Sequence, residues 1–233
     1  MARGGVLTAW VARVSASRVI SLGMLVVIVL ADQLIPIEKM PFAPRALLDE
    51  PLHLATAMIV LGSLLRLRGR RPGTAFIWAM LSASVLIDLD HLPLAFGSHV
   101  LTAGTPRPYT HALWVVVLLG TAAVAAGRWS RAAGSPRAAL VTGITAGAAC
   151  GVAAHFLRDV VTAHISLWWP VSGADVELPY AWSLAALLVL IALPVGHRPR
   201  PSATGADPLP SPPESAARGP DLAPGERTGT MGA

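Results

Sequence analysis

The sequence predicts an all-α fold: a polytopic membrane protein of about six transmembrane helices, four of which meet around a metal site. Three observations predict it. The 233 residues are 54% hydrophobic and only 13% charged, whereas soluble domains carry about 25% charged residues. The apolar residues gather into six runs: 19–36, 52–65, 74–87, 112–127, 138–163 and 180–196. His53, Asp88, His111 and His155 stand within or at the ends of four different runs.

Taken in order, residues 1–18 form a basic arm with Arg3, Arg13 and Arg18. Run 19–36, with the outer loop up to residue 49, is an additional span. Its "VLADQ" (29–33) offers a small-residue cleavage site after Ala31, behind a basic and apolar leader. A removed signal peptide is therefore the alternative for this run. Residues 50–196 hold the other five runs. A span needs about 20 residues, and runs 52–65 and 74–87 reach that length only if His53 and the Asp88–His91 cluster lie in the membrane zone. After Gly196 the composition turns to Pro, Gly, Ser and Ala without apolar periodicity. Residues 197–233 read as a disordered tail. The single cysteine, Cys150, forms no intrachain disulfide and reads as a small buried hydrophobe.

Most of the basic residues lie on alternate sides of this topology. They sit in the arm, in the 66–73 loop (Arg66, Arg68, Arg70, Arg71), in the 128–137 loop (Arg128, Arg131, Arg137) and in the tail. The positive-inside rule makes those sides cytoplasmic, both termini included. The net charge of +5 does not indicate a nucleic-acid partner, because the arginines separate apolar runs instead of forming one face. The lipid bilayer is the expected environment; the oligomeric state is left open.

Helical rise places the polar residues at one depth. Counting from the arginine-rich ends at about 1.5 Å per residue, His53 lies ~20 Å up, Asp88 ~21 Å, His111 ~24 Å and His155 ~26 Å. The hydrocarbon layer is about 30 Å thick, so four helices bring polar groups to its outer third. Each charged group at mid-membrane costs about 2.5–3.5 kcal/mol, less near the interface. A shared divalent cation would offset that cost, and carboxylate with imidazole suits zinc. His155 and Asp159 are i,i+4 on one helix face, with Thr162 close to that face, and Asp88 and His91 are i,i+3. Asp90 cannot join them on a regular helix. Pro93 discourages helix continuation, so the chain is expected to unwind there and turn Asp90 inward. The candidate ligands are His53, Asp88, Asp90, His91, His111, His155 and Asp159. His99 and His164 read as loop residues and His197 as part of the tail. Trp168 and Trp169 read as interfacial anchors.

The pieces "PLHLATA" (51–57), "DLDHLP" (88–93), "RPYTHAL" (107–113) and "HFLRDVVTAHISLWWP" (155–170) resemble, in order, the motifs of a bacterial family. It is the group of membrane-bound, metal-dependent hydrolases known as LexA-binding, inner-membrane-associated hydrolases. The resemblance covers about residues 50–170. Family members often carry a glycine a few residues after the threonine of the last motif, and "TAHIS" has none. The resemblance implies hydrolase chemistry in the bacterial inner membrane and names no substrate. No determinant of LexA binding is visible in this sequence, and that interaction is not expected.

Seven candidate ligands exceed the four of a closed structural zinc site, so either two ions bind or some residues support the ligands. A metal-activated water would attack, and a spare aspartate, Asp90, would take its proton. Arg107 would contact a phosphate and Thr110 would orient a ligand. Three aspartates, one arginine and two divalent ions leave a positive site, which favours an anionic substrate. An outward-facing position favours a phospholipid or lipid-linked phosphate. The alternatives are an ion or proton transporter and a non-catalytic protein with a structural metal. Transport would need polar positions continuing inward, and the inner halves of runs 112–127 and 138–163 offer only small and hydroxyl groups.

Overall fold

A computed structural model describes residues 2–35, 39–68, 72–102, 105 and 107–194. The expected disordered tail, 197–233, and His197 with it lie outside the described residues. Among the described residues there are eight α-helices: α1 Ala2–Ala16, α2 Arg18–Leu34, α3 Phe42–Arg68, α4 Thr74–Leu86, α5 Leu92–Ala95, α6 Leu113–Ala133, α7 Pro136–Thr162 and α8 Tyr180–Ala192. Among the described residues there is no strand, only an isolated bridge between Ile165 and Val176. The all-helical membrane architecture expected from the sequence is the one observed.

Four stretches are long and apolar enough to cross a membrane: Ala43–Arg68, Thr74–Ala95, Leu113–Ala133 and Pro136–Thr162. A fifth arises if α1 and α2, bent by 76° about Ser17, count as one span. Run 180–196 becomes α8, whose 13 residues reach about 20 Å, short of the hydrocarbon thickness. The arm 1–18 is itself mostly helix and packs on α3. Trp78 Nε1 donates to Thr8 Oγ1 at 3.2 Å, which ties α1 to α4 as well.

Helix α3 is longer than its apolar run. It begins at Phe42 and carries Pro51 inside it, so Asp49, expected in the outer loop, stands on a helix. Helix α4 ends with a switch to a 3₁₀ turn, Ile87–His91. This differs from the expected unwinding at Pro93. Pro93 lies in the first turn of α5, where a missing N–H leaves no helical bond unmade. The tighter winding of the 3₁₀ turn, not the proline, sets where Asp90 points. Helix α6 ends on Gly134, whose φ of 57° is the left-handed conformation that favours glycine. Ser135 and Pro136 then start α7.

Helices α4 and α7 approach closely. Gly143, Gly147 and Gly151 recur every four residues along one face of α7. A Cβ at Gly147 would collide with the Phe76 carbonyl oxygen, and one at Gly151 with that of Met80. Small residues permit this backbone approach, which lipid-embedded helices use in place of a hydrophobic driving force. At the other end of the bundle, Arg66 is buried and gathers three helix ends. It donates to Ala16 O of α1 at 3.3 Å, Leu190 O of α8 at 2.9 Å and Ser63 Oγ at 3.0 Å. A cation at two helix C-termini meets their negative dipole ends. Arg66, expected only as a topology signal, is thus also a structural clamp.

Candidate metal centre

Four polypeptide segments converge at one end of the bundle. Helix α3 brings His53. The 3₁₀ turn after α4 brings Asp88, Asp90 and His91. A second 3₁₀ turn, Tyr109–His111, brings Thr110 and His111 to the start of α6. Helix α7 brings His155 and Asp159. His53, His111, His155 and Asp159 are each at most 1% exposed.

Six of the seven candidate ligands form two overlapping groups. Asp88, Asp90, His91 and His111 make one; Asp88, His111, His155 and Asp159 make the other. Within each, one ligand atom per residue lies within 4.8 Å of all the others. Asp88 and His111 belong to both. His111 Nε2 is 2.9 Å from Asp88 Oδ1, and its Nδ1 is 3.2 Å from Asp90 Oδ2. His155 Nε2 is 3.2 Å from Asp159 Oδ2 and 3.5 Å from Asp88 Oδ1. His91 Nδ1 is 2.9 Å from Asp90 Oδ1.

The donor set fits a cation. Buried polar groups are nearly always hydrogen-bonded, yet Asp90 Oδ1, His91 Nδ1 and His111 Nδ1, although within ion-pair distance of one another's carboxylate or ring, make no aligned hydrogen bond. These three atoms belong to the same ligand group, and a divalent ion among them would satisfy all three. His155 Nδ1 lies 2.9 Å from the carbonyl of Ser84. That carbonyl favours one tautomer and leaves Nε2 facing Asp88 and Asp159, the nitrogen that could ligate. The carboxylates of Asp88 and Asp90 flank the His111 ring on both of its nitrogens, an arrangement that favours a cation at this position.

His53 stands apart from both groups. Its Nε2 accepts from Arg158 Nη1 at 3.1 Å and lies 3.5 Å from Asp159 Oδ1. Its ring stacks on His155 at 3.8 Å. It therefore buttresses His155 and Asp159. Thr110 Oγ1 donates to Asp90 Oδ2, the orienting contact expected of it. Arg107 Nη1 donates to Asp159 Oδ2 at 2.8 Å, so this guanidinium is anchored on a ligand carboxylate. Thr162 turns from the centre and donates to Arg158 O at 3.1 Å. His164 is exposed, 3.5 Å from Glu177, and His99 packs near Thr102; neither enters the cluster.

Sequence reasoning missed a second set of polar residues. Arg158, 3% exposed, donates to Asp49 Oδ1 and, at 2.6 Å, to Asp32 Oδ1. Tyr180 Oη donates to Asp32 Oδ2 at 2.9 Å. The signal was present in "HFLRDVVT", where an arginine inside a long apolar helix demands acidic partners. Two cavities adjoin the centre. One of 500 Å³ is lined largely by apolar groups including Val85, Leu86, Leu92 and Met40, with Asp88, His91, Arg45 and Arg107 on its wall. The other, of 320 Å³, is more polar and shares Arg45, Asp49 and Arg107 with the first.

A helical bundle with four long apolar helices that gathers histidines and aspartates from four segments at one end defines a polytopic membrane protein with a candidate metal centre. A family model covers residues 48–206, and the chain belongs to the YdjM inner membrane protein family. All the candidate ligands lie inside that match. No curated protein and no solved structure matches the chain.

Proposed function

We propose that the protein is a membrane-bound, metal-dependent hydrolase acting on a phosphoester with an apolar portion, such as a phospholipid or lipid-linked phosphate. The observation that carries this reading is the pair of overlapping Asp/His groups on the wall of an apolar cavity that also presents Arg45 and Arg107. Asp88, Asp90, His91 and His111 would hold one zinc or similar ion; Asp88, His111, His155 and Asp159 would hold it alternatively or hold a second. Such an ion supplies water activation and polarisation of a phosphoryl oxygen.

The remaining work falls to the chain's own residues. Arg107, fixed by Asp159, presents its other N–H groups to a phosphate oxygen. Thr110 holds the Asp90 carboxylate in place, and Asp90 accepts the proton of the attacking water. The apolar cavity wall excludes water from the ester and receives hydrocarbon. We place the centre on the outer side of the inner membrane, with both termini cytoplasmic, because the arginine-rich ends lie opposite it.

The test is phosphate release from a panel of lipid phosphates by detergent-purified protein, with and without zinc. Metal-dependent turnover on at least one member supports the reading. No turnover on any member, with metal bound by elemental analysis, rejects it. Transport is the weaker alternative: the buried ionisable group described at the opposite end, Arg66, is committed to helix ends. Zinc- or proton-coupled flux in proteoliposomes would reverse that preference.

A further inference from the structure

The 320 Å³ cavity is not part of the metal centre, yet it opens onto the same wall. It is lined by the cations Lys39, Arg45, Arg107 and Arg158 and the carboxylates Asp32 and Asp49. The two carboxylates are already engaged. Arg158 binds both, and the Tyr180 hydroxyl donates to Asp32. Arg107 gives one nitrogen to Asp159 and keeps the rest of its fork. Among the described residues, Lys39 and Arg45 have no ion pair. The cavity therefore offers unspent donors and net positive charge, and its volume is that of a small-ligand site.

We propose that this cavity is an anion subsite that takes a second phosphate-type group of the substrate, next to the one at the metal centre. The proposal rests on the hydrolase reading for its link to turnover, but binding of the anion does not. Arg45 and Arg107 face both cavities, so a substrate with two adjacent anionic groups would span a shared guanidinium wall. Guanidinium forks match phosphate oxygens in pairs, and lysine adds a point charge. Asp32, Gln33, Lys39 and Arg45 all precede residue 48, where the family match begins. Residues ahead of the family-matched core thus supply part of the subsite, including its two cations without an ion pair, Lys39 and Arg45, and would set substrate choice rather than the chemistry.

Two arms test it on the full chain in detergent. In the first, inorganic diphosphate is titrated calorimetrically without added metal. Saturable binding is expected, weakened at least tenfold in the Lys39→Gln/Arg45→Gln double variant and retained in Asp88→Asn. Absence of binding, equal affinity in the double variant, or loss in Asp88→Asn overturns the proposal. Size-exclusion and thermal-melt profiles matching the parent protein establish that the variants fold. In the second arm, zinc-loaded protein is given a lipid monophosphate and a lipid diphosphate of the same chain. The expected result is a KM about tenfold lower for the diphosphate, a ratio that falls towards one in the double variant. A ratio unmoved by the double variant overturns the proposal. If neither lipid turns over, the hydrolase reading fails and the binding arm alone decides. Preference for free diphosphate over both lipids would assign the site to a soluble anion.

Discussion

Asp88 and His111 carry more of the centre than any other residues, because each belongs to both ligand groups. Removing a shared ligand should empty both positions, whereas removing an unshared one should empty at most one. We expect Asp88→Asn to lose essentially all bound zinc by elemental analysis. Asp90→Asn should retain the ion held by Asp88, His111, His155 and Asp159. Equal metal content in the two variants would refute the overlap. Arg158 makes a second residue-scale prediction. Breaking a buried ion pair by removing one partner costs about 3–5 kcal/mol. Arg158→Leu leaves Asp32 and Asp49 facing each other without their cation, so a marked drop in thermal midpoint is expected. Adding Asp32→Asn and Asp49→Asn to that variant should restore much of it, because the uncompensated charges go with the arginine.

The α4–α7 pair is the element-scale determinant of the site, since α4 leads directly into the Asp88 turn and α7 carries His155 and Asp159. Gly147→Val or Gly151→Val would force the two backbones apart, and such overpacking costs about 1–3 kcal/mol or more. Lower thermal stability together with lower zinc content is the expected outcome. Gly143→Ala should be tolerated, because a Cβ there would meet its neighbours at ordinary contact distance, 3.4 Å from Ala75 Cβ. A Gly147→Val variant with undiminished stability and zinc would show that the close approach is dispensable. At this scale the sequence was informative about apolar runs and weak about their ends. Runs 74–87 and 138–163 match α4 and α7 closely, because hydropathy reports what faces lipid. The start of α3 was hidden, since Asp49, Glu50 and Pro51 break the apolar pattern, and the buried Arg158 that pairs with Asp49 comes from a distant helix. The depth count brought His53, Asp88, His111 and His155 together because rise per residue is fixed. It could not show that His53 faces Arg158, a lateral contact that depth does not encode.

For the whole molecule, the arrangement predicts a sided protein. The metal centre lies at one end of the bundle and Arg66, with the arginine-rich ends, at the other. In cells expressing a Cys150→Ala background, a membrane-impermeant maleimide should label Ser98→Cys from outside and leave Arg131→Cys unlabelled until the membrane is opened. The reverse pattern would invert the proposed orientation. The glycine face of α7 has a consequence at this scale as well. It works as a ruler: the gap between the two halves of the ligand set is fixed by backbone touching backbone. A slip of one helical turn, about 5.4 Å, would carry His155 out of reach of Asp88. Positions 147 and 151 are therefore held by a candidate metal centre they never touch, and a constraint set by that centre should be legible several turns away from it.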